Sequence, residues 1–212
     1  MTVDAREALD GAVIAARGGD EDAFRALYRH VHPHLLRYLH GLVGDEAEDI
    51  ASETWLHVAR GLAGFEGDGD AFRGWAATIA RNRALDHVRR RRRRPCLPVP
   101  VEALAGHADT RDTPGEALGD LASHATLALI RSLPPDQAEA VLLRVVMGLD
   151  SGAAARVLGK RAGAVRTACY RGLRRLADLI DDPDAPVSAA PVSPGAGPGV
   201  TSGTGPTLKE VR

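Results

Sequence analysis

Apolar residues recur along this chain at three- and four-residue spacing, the period of helices packed on one face. Phe24, Leu27, Tyr28 and Val31 form the first such run, with Asp20 placed as its N-cap. Pro33 is expected to restart the chain, and Leu35, Leu36, Leu39 and Leu42 mark a second helix that stops near Gly44. A third begins at Asp45 with acids in its first turn, where the helix dipole favours them. Its inward positions are Ala47, Ile50, Ala51, Trp55, Val58 and Leu62. Gly61, Gly64, Gly67 and Gly69 then predict a loop. A fourth helix runs from about Asp70 to Arg93, with Phe72, Trp75, Ala76, Ile79, Ala80, Leu85 and Val88 on its apolar side, and Pro95 ends it.

Periodicity fades over 95–118, where Pro95, Pro98, Pro100 and Pro114 fall among Gly, Asp and Thr; this stretch is expected to be a flexible linker. It returns over 119–180. Leu121, Leu127 and Ile130 mark one helix, halted at Leu133-Pro134-Pro135. Ala138, Val141, Leu142 and Val145 mark the next, ending near Gly148. Two shorter helices come after it, about 151–158 and 162–179, separated at Gly159. Residues 183–206 are rich in Pro, Gly, Ser, Thr and Ala and lack the apolar mass to offset ordering entropy, so a disordered tail over 181–212 is expected. Its end, 207–212, regains helix-forming character and stands either as a short docking segment or as a disordered end. The pattern therefore predicts an all-α protein. It has an N-terminal extension (1–19), two small helical domains (20–94 and 119–180) joined by a flexible linker, and a C-terminal tail.

Composition sharpens the class. The chain of 212 residues is 44% apolar but only 4% aromatic, and it is poor in β-branched runs, which favours helices over sheets. Cys96 and Cys169 stand far apart in unlike contexts, suiting neither a disulfide framework nor a metal cluster. Asp4, Arg6, Glu7 and Asp10 interrupt any apolar leader, and no apolar run approaches the roughly 20 residues that span a bilayer. A cytoplasmic protein is expected.

Charge carries the functional message. The formal total of −1 conceals two cationic helices: 71–94 has nine Arg and one acid, and 151–177 has seven Lys or Arg and no acid. The first 70 residues hold fourteen acids against six bases. Two separated cationic helices on acidic bodies suit a protein that grips a polyanion at two places, with nucleic acid the first candidate.

The C-terminal pair has the spacing of a helix-turn-helix. Ala153, Ala154, Val157 and Leu158 form one apolar face, and Val165, Cys169, Leu173 and Leu176 are expected to pin the second helix. Lys160, Arg161, Arg166, Arg171 and Arg174 are then left outside, where a helix start can enter a major groove. In the N-terminal unit, Arg89 to Arg94 extend a helix already carrying Arg73, Arg81 and Arg83, with Trp75, Asn82 and His87 interleaved. Such a surface suits backbone tracking and contact with exposed bases, although Trp75 also falls on the apolar stripe.

DEAEDIASETWL at 45–56, followed by FRGWAATIARNRALDHVR at 72–89, resembles conserved region 2 of the bacterial sigma-70 family. LPPDQAEAVLLR at 133–144, then GLD at 148–150 and the helix pair, resembles region 4. With these two regions and a short linker, the chain is similar to an extracytoplasmic-function sigma factor. The resemblance implies a factor, without cofactor or metal, that binds RNA polymerase core and directs promoter-specific initiation. The acidic helix, through Asp45, Glu46, Asp49, Glu53 and Trp55, would dock on a coiled coil of the largest polymerase subunit. The 64–70 loop and the next helix would recognise and melt the minus-10 element through Arg73, Trp75, Arg81, Asn82, Arg83, His87, Arg89 and Arg90, with a flipped base near the loop and Asn82. The last helix would contact the minus-35 element through Lys160, Arg161, Arg166, Thr167, Tyr170, Arg171 and Arg174. An anti-sigma factor is a further partner that the resemblance implies, although no residue pattern marks one. Family members usually carry Gln where Ser52 stands, and Thr and Arg where Ala164 and Ala168 stand. Base readout is therefore expected to shift to Arg166 or Tyr170, or to rest on phosphates and DNA shape.

Two other classes compete. His30, His32, His34 and His40 lie close in sequence beside acidic helices, as in a metal-dependent helical bundle, but no Glu-x-x-His pattern repeats on facing helices. A stand-alone helix-turn-helix regulator accounts for the C-terminal unit but leaves 20–94 without a role.

Overall fold

The computed structural model describes residues 3–93 and 125–181. Among these, all regular elements are helical. The first unit is built from α1 (Val3–Arg17), α2 (Glu21–Val43), α3 (Ala47–Gly61) and α4 (Gly69–Arg93). Short 3-10 turns at Gly44–Glu46 and Leu62–Gly64 flank α3. The second unit has a helix over 125–132 (α5), α6 (Pro135–Val141), α7 (Ser151–Leu158) and α8 (Ala162–Asp181). The expected linker (95–118) and the tail beyond Asp181 lie outside the described residues.

Asp20 caps α2 as its position predicts, its Oδ1 accepting from the Ala23 N–H at 2.9 Å. The expected break at Pro33 is corrected: α2 runs unbroken through it. Both Pro33 and Arg29, whose carbonyl loses its helical donor there, face solvent, so water can serve the orphan group. Meanwhile Leu27, Val31, Leu35, Tyr38 and Leu39 are buried on one continuous stripe that holds both halves of α2 to the core. Pro33's own carbonyl accepts from Arg37 Nε at 3.1 Å.

The N-terminal extension is structured. α1 buries Leu9, Val13 and Ala16 in the same core. It also reaches the start of α4: Asp10 Oδ1 accepts from the Gly69 N–H at 2.7 Å, and Arg6 pairs with Asp70 at 2.6 Å. A Cβ on Gly69 would lie 2.7 Å from Leu9 and 2.9 Å from Asp10, so any larger residue would push those two side chains aside. Asp10 thus caps α4 from another helix. Asp10→Ala should cost about 1 kcal/mol in urea unfolding, with Asp10→Asn largely sparing it; equal losses from both would count against a capping role.

In the second unit, α6 passes into a π-turn over Leu142–Val146, where Met147 N–H donates to Leu142 O at 2.9 Å. The extra residue turns the later side chains about the helix axis. Val145, expected inward, is 57% exposed, and Leu143 and Met147 are buried. Asp150 caps α7 through Ala153 N–H at 2.7 Å, a bond that holds its carboxyl below the ordinary range. Gly159 closes α7 in the left-handed conformation, at φ +64°. The buried stripe of α8 is Val165, Cys169 and Gly172, with Leu176 half-buried. Leu173, placed on that stripe by the sequence, is 44% exposed. Gly172 takes its place because α8 crosses α6 closely: a Cβ there would sit 2.8 Å from Val141.

The two units also pack on each other, and their buried residues form one continuous cluster. Leu142 sits over Gly41 of α2, where a Cβ would come within 2.5 Å of it. His34 Nδ1 lies 3.1 Å from the Val146 carbonyl oxygen.

Candidate nucleic-acid and polymerase interfaces

On α8 and the turn before it, Lys160, Arg161, Arg166, Thr167, Tyr170, Arg171 and Arg174 all lie on the exposed side. The capped α7, the left-handed Gly159 and the buried Val165–Cys169 edge fix the direction in which that side faces. Tyr170 is 66% exposed. Ala164 and Ala168 line a shallow depression with Asp136, Gln137, Gly163, Thr167 and Arg171. Short side chains there leave room beside Arg171 and Asp136.

The α4 set divides. Asn82, Arg89 and Arg90 are exposed. Arg83 meets the ring of His57, and Arg89 pairs with Asp86 at 3.2 Å. His87 stands 3.8 Å from Glu46, which Arg91 also engages. Trp75 is half-buried and stacks on Phe65 at 5.0 Å, with Phe72 beneath both, so it shapes the 65–68 loop from inside. Arg73 and Arg81 face the second unit: Arg73 is also held by Asp70, and Arg81 bonds Glu139 at 3.0 Å. The structure therefore does not assemble the eight residues as one open face.

Asp45, Asp49 and Glu53 are exposed along one side of α3 and its preceding turn. Glu46 belongs to the Arg91–His87 group instead. Trp55, assigned to this face from the sequence, is 7% exposed and leaves the set of surface contacts. Its ring packs edge-on against Phe24, and its indole N–H donates to His32 Nδ1 at 3.2 Å. Burial lowers the pKa of His32, with Glu48 opposing, which favours the neutral acceptor form that the indole needs. Leu56, which sequence reasoning passed over, stands 56% exposed beside Glu53. Its signal was available: it follows Trp55 by about 100° around the helix, off the buried stripe.

The histidines that suggested a metal bundle are dispersed among other tasks. His32 receives the indole, His34 meets Val146, and His40 meets the Gly44 carbonyl at 3.1 Å. Among the described residues, no three His, Cys, Asp or Glu side chains converge as a metal site. Nor is any described helix long and apolar enough to cross a membrane.

Comparison with known proteins agrees with this geometry. Residues 27–94 match the family model "Sigma-70 region 2" and residues 123–176 match "Sigma-70, region 4". The chain is 39% identical over 170 residues to the ECF RNA polymerase sigma factor BldN of Streptomyces coelicolor, covering 79% of this chain and 64% of that protein. It is 34% identical over 192 residues to the ECF RNA polymerase sigma factor ShbA of Streptomyces griseus, covering 85% of this chain and all of that one. Its fold matches that of CnrH, solved with the cytosolic domain of CnrY, at a TM-score of 0.58 and 22% identity over 84% of this chain and 99% of that one. It also matches that of RpoE from Bartonella quintana, solved with the anti-sigma factor NepR, at 0.55 and 23% over 75% and 97%. With both region models met in chain order and a relative matched along its whole length, the chain belongs to the extracytoplasmic-function (ECF) sigma factors of the sigma-70 family.

Proposed function

We propose that this chain binds bacterial RNA polymerase core in the cytoplasm and directs it to a restricted set of promoters, with no catalytic step of its own. The observation that carries the reading is the exposed cationic side of α8, set on a capped helix-turn-helix, in the same chain as the exposed acidic side of α3. α8 lies in the major groove of the minus-35 element, with Arg161, Arg166 and Arg171 meeting phosphates and base edges. The depression at Ala164 and Ala168 suits an apolar group such as a thymine methyl. Asp45, Asp49 and Glu53, with Leu56 among them, meet a basic surface of the polymerase. Asn82, Arg89 and Arg90 follow the DNA at the minus-10 element, and the 65–68 loop over Trp75 receives an extruded base. An anti-sigma factor as a further partner is supported by the family and by RpoE, a neighbour in fold, which is seen with one.

Run-off transcription with purified core on genomic promoter fragments tests this. The chain should confer specific start sites, and Arg166→Ala should reduce their use by about tenfold, in line with loss of one base-reading arginine. Equal DNA affinity with and without core would instead favour a stand-alone regulator.

A further inference from the structure

Helix α1 precedes the residues matched to region 2, which begin at Leu27. Its buried stripe alone would give it a packing role, yet two of its polar side chains reach a single point. Asp10 Oδ1 accepts from the Gly69 N–H at 2.7 Å, and Arg6 pairs with Asp70 at 2.6 Å. Leu9 lies against the same spot, close enough that a Cβ on Gly69 would come within 2.7 Å of it.

That point is where the 65–68 loop passes into α4. Asp68, the last residue of the loop, caps the helix locally: its Oδ1 accepts from the Ala71 N–H at 2.8 Å, and its carbonyl accepts from the Phe72 N–H at 2.9 Å. The helix start therefore has two carboxylate caps, one from the loop and one from α1. The local cap serves the helix. The second ties the end of the loop to a helix pinned in the core by Leu9, Val13 and Ala16. Gly67 winds the loop tightly, at φ +147°; a Cβ on it would lie 2.7 Å from Ala71 and 3.0 Å from the Phe65 ring. The loop is thus short, drawn over the Phe65–Trp75 stack, and held at its far end by a residue 59 positions away.

We infer that Asp10 is a positioning residue for promoter opening. It touches no DNA; it fixes Gly69, and through Gly69 the 65–68 loop, in the shape that receives an extruded base. The inference rests on the proposed role of that loop. Its physical basis is preorganisation: the base must leave its stack, and a loop that has to be ordered at the same moment loses part of its contact energy to that ordering. Arg6, more exposed, adds a weaker restraint through Asp70.

The test compares initiation by the full-length chain with core on a promoter series in which each minus-10 base is changed in turn. Asp10→Ala should reduce discrimination at the extruded position by about fivefold, the usual effect of losing one cap. Discrimination at the other positions, and affinity for core, should not change. Asp10→Asn keeps an accepting oxygen and should retain the parent's discrimination. A purely structural role would lower activity evenly across the series. That result, unaltered discrimination in Asp10→Ala, or an equal loss in Asp10→Asn overturns the inference. Failure of the parent to direct core to any promoter removes the sigma-factor reading instead. Hydrogen exchange then still decides the tie: in Asp10→Ala the amides of 65–69 should exchange about fivefold faster while those at the centre of α2 keep their rates. Equal rates over 65–69 in parent and variant overturn it.

Discussion

Asp49→Lys combined with Glu53→Lys is expected to abolish association with polymerase core while leaving the protein folded. Both side chains are exposed one helical turn apart on α3, and none of the ion pairs found among the described residues uses either. Nothing in the fold therefore depends on their charge beyond the helix dipole, to which Asp49 contributes in the first turn. Reversal there should cost stability by less than about 1 kcal/mol. The cost to binding is far larger. Reversing a close charge across a complementary interface replaces attraction with repulsion, and close interfacial pairs couple by about 1.5–7 kcal/mol. Two such changes should weaken core affinity by more than about 100-fold. Titration of labelled core with the variant, alongside a urea melt, separates the two effects. Glu7→Lys, an exposed acid on α1, is the control and should bind normally. Retained affinity in the double variant would move the polymerase contact off this face.

Legibility in the sequence depended on which interactions are local. Asp20 was legible as a cap because a cap is decided within four residues; the equally local cap at Asp150, the acid preceding a helix of small residues, was passed over. The buried side of α3 was legible because its stripe keeps a single period from Ala47 to Leu62. Pro33 misled because its local penalty is overridden by a core stripe on either side of it, and stripes act at long range. Val145 and Leu173 misled for different reasons: Val145 sits within a π-turn, where the period changes, and Leu173 beside a glycine that allows a close helix crossing. The exposed residues of α8 were foreseen as a set, since they are dictated by the opposite, buried edge. On α4 the foreseen set was divided by contacts with the other unit. Arg81 could not be placed from sequence because its partner, Glu139, lies 58 residues away. Trp55 and Trp75 also went unresolved, since an aromatic on a stripe border serves a core or a surface according to its neighbours, here Phe24 and Phe65.

Phe72→Ala is expected to be the most destabilising single change in the first unit, by about 3–5 kcal/mol. The ring is fully buried at the start of α4 and among the largest side chains in that state. It meets Phe65 edge-on at 5.8 Å and Trp75 at 6.0 Å, and its backbone N–H donates to the Asp68 carbonyl at 2.9 Å. Truncation leaves a cavity under two aromatic rings that are themselves anchored by the chain on either side, so collapse into the space is limited. The consequence should also reach the DNA. Phe65 and Trp75 form the floor of the 65–68 loop, which we propose receives the flipped base, and such a loop needs a firm floor because flipping itself costs a few kcal/mol. The variant should therefore lose promoter opening more than promoter binding. On a template already melted across the minus-10 element, much of its activity should return at temperatures where it remains folded. Phe72→Leu keeps a bulky apolar group and should lose less on both counts. Urea unfolding followed by tryptophan fluorescence measures the first effect, and transcription from duplex against premelted templates measures the second. An alanine variant as stable as the parent would contradict the packing described for α4, and equal defects on the two templates would detach the aromatic floor from melting.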